Sequence, residues 1–371
     1  MGEESTIWPL QAHTRAKHEL LRAYLDAYFP ILAQGRNRAK RLLFLDGFAG
    51  PGVYAGGEPG SPIVAMQAIA AARVDLSRCE FVFLLVEEDQ ERATSLETQI
   101  AQFRSTHDLL PNLTIQIEAR PFAEVAEQIL DQLESAGARL APTFAMIDPF
   151  GFGGAPMNLI QRLLAFPKCE VFFNFMLDSV NRQAGNDIVV DHMRGLFGTD
   201  AFSDVPPSGS PDRHQFLLDL FENQLRDKAQ FEYVSKLALI NRRGRPNVIF
   251  HGTRHRKGLE VMREALWKVD AIDGSRFDAR DDAAGQEKLW GNEIDLEPLR
   301  QAIAERFAGL HTTVDEIENF VLLETHYKLT HIRREGLKVL ENRGEIVKVV
   351  KADDSKRRKG SFPAGCLIQF A

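Results

Sequence analysis

The stretch Arg41-Leu-Leu-Phe-Leu-Asp-Gly-Phe-Ala-Gly-Pro-Gly-Val-Tyr54 decides how this chain of 371 residues is read. Leu42 to Leu45 is a continuous apolar run, the pattern of a strand buried on both faces, and Asp46 to Gly52 then reads as a tight, exposed loop. Beyond it, Gly57-Glu-Pro-Gly-Ser-Pro62 opens an apolar helix, with Ser61 expected as N-cap and Pro62 at the first helical position. Strand, glycine loop and helix form a beginning suited to a ligand that approaches the backbone closely.

What the loop lacks narrows the ligand. No lysine or arginine lies between Arg41 and Arg73, and the Gly-x-x-x-x-Gly-Lys-Ser/Thr pattern is absent, which argues against a triphosphate. Asp46 at the strand end would repel a pyrophosphate, and the dinucleotide fingerprint is missing. S-adenosylmethionine has no phosphate, and its ammonium and sulfonium suit a carboxylate-bearing loop. The spelling Asp-x-Phe-x-Gly-x-Gly resembles the first motif of class I S-adenosylmethionine-dependent methyltransferases, which implies Asp46, Gly47, Phe48, Gly50, Gly52 and Ser61 at that cofactor. An ordinary glycine-rich turn is the alternative.

Upstream, the apolar recurrence of Thr14 to Ala33 predicts a helix capped by Thr14. His13, Thr14 and Lys17 at its start suit the carboxylate of a bound amino acid, or else form a solvated first turn. Downstream, Glu80 to Val86 reads as a second buried strand, and Glu87 at its end is the residue placed to bond ribose hydroxyls. Its separation from Gly50, 87 − 50 = 37 residues, exceeds the roughly 20 of the usual fingerprint. Glu88 and Asp89 read as a helix start, and after a third strand, Leu113 to Ile117, Arg120 or Phe122 is available to lie against an adenine.

The second stretch with chemistry is Thr143-Phe-Ala-Met-Ile-Asp148-Pro149-Phe150-Gly151. An apolar strand delivers a carboxylate to its C-terminal edge, where ligands bind in open α/β sheets, and Pro149 ends the strand at once. Asp-Pro-Phe-Gly resembles the fourth motif of methyltransferases acting on exocyclic amines and is similar to the spelling in tRNA guanosine N2-dimethyltransferases. The resemblance implies that Asp148 or the adjoining Pro149 carbonyl accepts from the attacking N–H2 while Phe150 stacks on the base. A βα turn capped by aspartate is the alternative. Asn174, an odd polar residue in a fifth strand, is expected to face the same crevice.

Residues 178–230 read as a helical insertion, and Phe231 to Leu239 with Asn247 to Gly252 as a hairpin whose tip carries Arg242, Arg243 and Arg245. Together with Arg254, Arg256 and Lys257 that tip forms a local basic patch suited to nucleic acid. Residues 271–295 are polar and read as a linker. From 296 to 371, three helices and a basic hairpin predict a winged helix-turn-helix, with Arg333 and Arg334 on one helix and Lys356, Arg357 and Arg358 on the wing for nucleic-acid contact.

Composition sets limits. With 45 basic and 52 acidic residues the net charge is −7, so nucleic-acid contact must be local. Cys79, Cys169 and Cys366 have neither disulfide-framework nor zinc spacing, and no metal is expected. No run of about eighteen apolar residues suggests a membrane span, so a soluble, cytoplasmic protein is expected.

Taken together, His13-Thr14-x-x-Lys17, Asp46 to Gly52, Gly57 to Pro62, Asp148-Pro-Phe-Gly151 and Gly252-Thr-x-His-x-x-Gly258 resemble the three-Cys-motif partner family across roughly residues 8 to 270. The resemblance implies a Rossmann-like methyltransferase domain over 1–270 and a three-cysteine-motif protein as partner; the cysteines here are not that motif. The expectation is therefore an α/β S-adenosylmethionine-dependent methyltransferase of a nucleic-acid exocyclic amine. Its rival is a non-catalytic cofactor-binding protein that presents its winged helix to DNA or to the three-cysteine partner.

Overall fold

The apolar run that begins at Leu42 becomes β1 (Arg41–Asp46) at the centre of a sheet, preceded by α1 (Ala12–Ala33) and followed by α2 (Ser61–Ala70). The computed structural model describes residues 6–151, 153–272, 274–280, 294–353 and 355–371. Strands and helices then alternate: β2 (Glu80–Val86), α3 (Gln90–Thr106), β3 (Leu113–Glu118), α4 (Phe122–Ser135), β4 (Thr143–Ile147), α5 (Met157–Leu163) and β5 (Glu170–Phe175). The expected helical insertion comprises α6 (Leu177–Gln183), α7 (Val190–Phe197) and α8 (Arg213–Asp227), and it leads to the hairpin of β6 (Tyr233–Ile240) and β7 (Pro246–Thr253). Next come α9 (Arg256–Val269) and β8 (Arg276–Asp278).

The sheet order is β3-β2-β1-β4-β5-β7-β6-β8. β1 to β5 are parallel, and β7 enters antiparallel to β5 and to β6. Helices cover both faces, which is why the central strands carry apolar residues at successive positions instead of alternating ones. Leu43 and Leu45 pack on one face with Val86, Ala145 and Phe173. Phe44 lies on the other, its ring 4.9 Å from that of Phe83, and Phe144 there meets Tyr24 of α1. The chain runs outward from β1 to β3 and returns on the opposite side as β4, so the direction of winding reverses between β1 and β4. Ligand crevices in open α/β sheets lie at such a reversal, beyond the strands' C-terminal ends.

Three local expectations are corrected. α1 starts at Ala12 with Gln11 as N-cap, so Thr14 lies inside the first turn. Gly60 occupies the N-cap of α2, and Ser61 is already helical. Within the expected linker, β8 pairs in parallel with β6, its Asp278 held by Arg276 and Arg280 at 2.6 Å each. The linker's residues 273 and 281–293 lie outside the described residues.

The chain divides within α9 into two units, the larger containing the chain up to Val261 and β8, the smaller Met262–Ser275 and the C-terminal residues. In the smaller, α10 (Glu297–Phe307), β9 (His311–Thr313), α11 (Val314–Glu324), α12 (Lys338–Arg343), β10 (Ile346–Val350) and β11 (Leu367–Phe370) give three helical segments and an antiparallel sheet of order β10-β11-β9. Thr313 and Glu316 form a capping box at the start of α11, and Gly344 closes α12 at φ +81°. Thr330 is helical, and Ile332–Leu337 winds as a π-helix.

At the N-terminal end of β5, buried Glu170 accepts from Thr253 Oγ1 (2.8 Å) and from the Tyr24 hydroxyl, with His251 Nε2 at 3.4 Å. This pins α1 to two strands and explains the spacing Gly252-Thr-x-His-x-x-Gly258: a Cβ on Gly258 would lie 2.6 Å from Thr253 Oγ1 and 2.7 Å from Glu170 Oε1. Gly258→Ala is therefore expected to lower the urea midpoint by an amount corresponding to about 1–3 kcal/mol. Gly195→Ala, inside α7 where a Cβ meets nothing within 4 Å, should instead stabilise by about 0.4–1 kcal/mol.

Candidate active site

Beyond the C-terminal ends of β1, β4 and β5 lies a cavity of about 250 Å³ in the larger unit. Its lining includes the glycine loop from Phe48 to Tyr54, the start of α1 (His13, Thr14, Lys17, His18), Asp148-Pro149-Phe150, and Asn174 with Met176. Gly50 and Gly52 have φ of +63° and +78°, which L side chains rarely adopt, so the loop's course depends on glycine there. A Cβ on Gly60 would come within 3.0 Å of the Gly52 backbone, so the loop folds tightly back on itself.

Asp148 follows β4, and its carboxylate takes two partners. Lys17 Nζ donates to Oδ2, forming an ion pair from the first turns of α1, and Asn174 Nδ2 donates to Oδ1 at 2.6 Å. Asn174 Oδ1, buried, has no hydrogen-bond partner among the described residues. His13 and His18 beside this pair have their pKa values lowered, that of His18 to about 3, first by burial and then by the Lys17 charge. Both imidazoles are therefore neutral at pH 7.

Asp46 lies behind the wall, 0% exposed. Its carboxylate accepts from Ser61 Oγ (2.6 Å) and Phe48 N–H (3.2 Å), and burial pushes its pKa up to about 7 against those two bonds. Ser61 is thus a cavity residue through its hydroxyl, in place of the capping role expected from the sequence.

The structure brings His13, Thr14, Lys17, Phe48, Gly50, Gly52, Ser61, Asp148, Pro149 and Phe150 together around one cavity. It places the other expected cofactor residues away from the lining. Gly47 is covered by Phe122, whose ring carbon would lie 2.8 Å from a Cβ there. Phe122 is buried core, 3% exposed and packed on Phe48, so it offers no face to an adenine. Arg120 is tied to Glu118 (2.6 Å) and Gln128 (2.8 Å). Glu87 is 4% exposed, and its carboxylate accepts from Gly50 N–H (2.9 Å) and Asp89 N–H (3.0 Å); it braces the glycine loop from behind. Trp8, Pro9 and Gln11 also line the cavity, and sequence reasoning missed them. The only signal was an apolar Ile7-Trp8-Pro9 triplet ahead of the first helix.

The cations expected at nucleic acid are divided. Arg254 lies over the Phe231 ring at 4.6 Å and donates to the carbonyls of Ala229 and Cys169, which makes it a packing residue. Arg256 and Lys257 share Glu260 at 3.0 Å each, whereas Arg243 is exposed. In the smaller unit, Arg357 is ion-paired with Glu341 and lies over Phe362 at 5.3 Å, so its charge is spent internally. Arg333 pairs with Glu318 at 2.8 Å, and Arg334, Lys356 and Arg358 are exposed. No cluster of His, Cys, Asp and Glu able to hold a metal occurs among the described residues, and none of their helices is long and apolar enough to cross a membrane.

Neither a protein-family model nor a curated protein matches this sequence. Among solved structures, the chain is similar to the O-methyltransferase TomG from Streptomyces achromogenes in complex with S-adenosylmethionine, at 13% identity and a TM-score of 0.33, over 64% of this chain and 80% of that one. It is also similar to an O-methyltransferase from Bacillus cereus in complex with S-adenosylhomocysteine, at 14% identity and a TM-score of 0.34 over the same shares. A precorrin-6y C5,15-methyltransferase from Geobacter metallireducens shares 11% identity at a TM-score of 0.31, over 64% of this chain and 87% of its own. At such scores the likeness carries no argument, and the chemistry rests on the cavity itself.

Asp46 makes a measurable signature. Its folded-state pKa, about 7, lies well above the ordinary 3.8, so the folded chain holds a proton that the unfolded chain releases. Its contribution to stability is complete below pH 4 and is lost as pH rises through 7, a difference of about 4 kcal/mol by linkage. Asp46→Asn should remove this dependence. Urea unfolding across pH 4 to 8 should show the variant gaining on the parent up to pH 7 and then levelling.

Proposed function

We propose that the larger unit is an S-adenosylmethionine-dependent methyltransferase whose target is an exocyclic amine on nucleic acid. The observation that carries this reading is the pairing of Asp148 with Asn174. A carboxylate only accepts, so Asn174 must turn its N–H2 toward Asp148 and its oxygen away. The cavity wall therefore holds the remaining lone pairs of Asp148, and beside them the buried Asn174 Oδ1 is an acceptor left without a partner among the described residues. Two N–H donors on one nitrogen, as in a primary amine, complement them.

The donor set also suits the cofactor. No lysine or arginine lies in the loop between Arg41 and Arg73, and Lys17, the one lysine or arginine lining the cavity among the described residues, is paired with Asp148. Such a wall favours a phosphate-free, cationic ligand, which the loop of Gly50 and Gly52, with Ser61, would hold. When bound, S-adenosylmethionine supplies a methyl group activated by a sulfonium. The residues' share of the chemistry is positioning: Lys17 and Asn174 fix the Asp148 carboxylate, Asp148 and Asn174 orient the amine by its N–H groups, and Asp148 receives the proton that leaves nitrogen. Phe150, 65% exposed, offers a ring face to the base.

The smaller unit is read as a winged helix. Its order of helix, strand, two helices and hairpin, with Arg334, Lys356 and Arg358 exposed, supports contact with nucleic-acid phosphates. The resemblance to the three-Cys-motif partner family adds a three-cysteine-motif protein as a further partner.

Calorimetry should detect S-adenosylmethionine binding to the full chain, and labelled-methyl transfer should be found on nucleic acid. Asp148→Ala should cut transfer by about 10²-fold or more while leaving cofactor affinity within a few-fold; unchanged turnover would sink the assignment.

A further inference from the structure

Trp8 and Phe150 of the cavity lining carry Arg92, itself outside that lining, in a group whose purpose the roles above leave unexplained. The segment ahead of α1 is fastened across the glycine loop: Ala55 N–H donates to the Trp8 carbonyl at 3.0 Å, and Thr6 Oγ1 donates to Glu91 Oε2 at 3.2 Å. Trp8 thereby meets Phe150 edge to face, with centroids 5.5 Å apart and planes at 83°, and Tyr54 at 6.3 Å. Arg92, in the first turn of α3, places its guanidinium carbon 5.0 Å from the Trp8 centroid and 5.4 Å from that of Phe150.

Several arginines of the larger unit spend their charge on a carboxylate within the fold, as Arg22, Arg41, Arg120 and Arg194 do. Arg92 forms no ion pair among the described residues. Of the neighbouring carboxylates, Asp89 accepts through Oδ1 from the Arg92 main-chain N–H, and Glu91 accepts from Thr6. The two rings attract the guanidinium, whose N–H groups make no hydrogen bond among the described residues. A half-buried guanidinium with unused N–H groups is matched by a bidentate oxyanion, and phosphate has that geometry. Beside it, the exposed ring of Phe150 is a stacking surface for a planar base.

We propose that Trp8, Phe150 and Arg92 form a nucleotide subsite in which a base stacks on Phe150 and its phosphate takes the edge of Arg92. The subsite deepens the methyltransferase reading and rests on it only for what happens to the base; binding itself needs no cofactor. Free nucleotides and nucleic-acid strands share this chemistry.

Trp8 is a built-in reporter. The full chain is titrated by tryptophan fluorescence with guanosine monophosphate and adenosine monophosphate, the matching nucleosides, inorganic phosphate, and a short single-stranded oligonucleotide, with Trp8→Phe identifying the signal. A change in Trp8 emission by a mononucleotide or the oligonucleotide is expected, with nucleosides at least tenfold weaker. A response to mononucleotides assigns the subsite to free nucleotides, and a response to the oligonucleotide alone assigns it to strands. Arg92→Ala should abolish the advantage of phosphate while S-adenosylmethionine affinity by calorimetry is unchanged, and Arg92→Lys should restore part of it. Equal affinity for nucleoside and nucleotide, silence to every phosphate-bearing probe, or loss of cofactor affinity in Arg92→Ala would overturn the subsite. Nucleotide binding without cofactor binding would instead leave the subsite standing and refute the methyltransferase reading.

Discussion

The ion pair between Lys17 and Asp148 joins the first helix of the larger unit to the end of a central strand, and the cavity exists around it. Both side chains are largely withdrawn from water, 8% and 21% exposed. Such a pair returns little net stability, but removing one partner strands the other. Its consequence is geometric. Asp148 cannot swing, because Lys17 holds one oxygen and Asn174 the other, and Asn174 in turn has only one orientation that satisfies the carboxylate. A catalytic carboxylate benefits from being held in place before the substrate arrives.

A second polar cluster at the opposite end of the strands keeps that arrangement in register. Glu170, Thr253 and Tyr24 bind α1 to β5 and β7 at that end. α1 is thus pinned at two points along its length, by Tyr24 below the sheet and by Lys17 above it. The position of Lys17 at the cavity follows from a contact on the far side of the fold. Sequence motifs at both ends serve one helix, although only one of them touches the cavity.

The fold was legible because strands buried on both faces announce themselves as runs such as Leu42 to Leu45 and Phe144 to Ile147, and glycines with turn chemistry separate them. The cavity was partly legible for the same reason: residues at strand ends converge at the winding reversal whatever their detailed contacts. What the sequence concealed was direction. Glu87 and Phe122 stand where a fingerprint puts ligand-binding residues, but Glu87 turns to the Gly50 N–H and Phe122 fills the space beneath Gly47. Spacing identifies a strand end without identifying which side of a loop a side chain takes. Arg254 and Arg357 illustrate the same limit, since a basic residue that lies over an aromatic ring in space reads as surface charge until the packing is known.

The N-terminal segment lay beyond sequence reasoning for a different reason. Trp8 belongs to no periodic element, and its place over the cavity is held by a main-chain bond to Ala55, in the segment between Val53 and Pro59, and by the bond from Thr6 to Glu91. That segment, which accounts for part of the long separation between Gly50 and Glu87, therefore has a structural use: it gives the N-terminal segment an edge to bind and is itself closed by the bridge between Val53 and Pro59. A longer glycine loop costs conformational entropy that grows only slowly with length. Here that cost secures an aromatic wall which the shorter loop, ending at Gly52, has no group to hold.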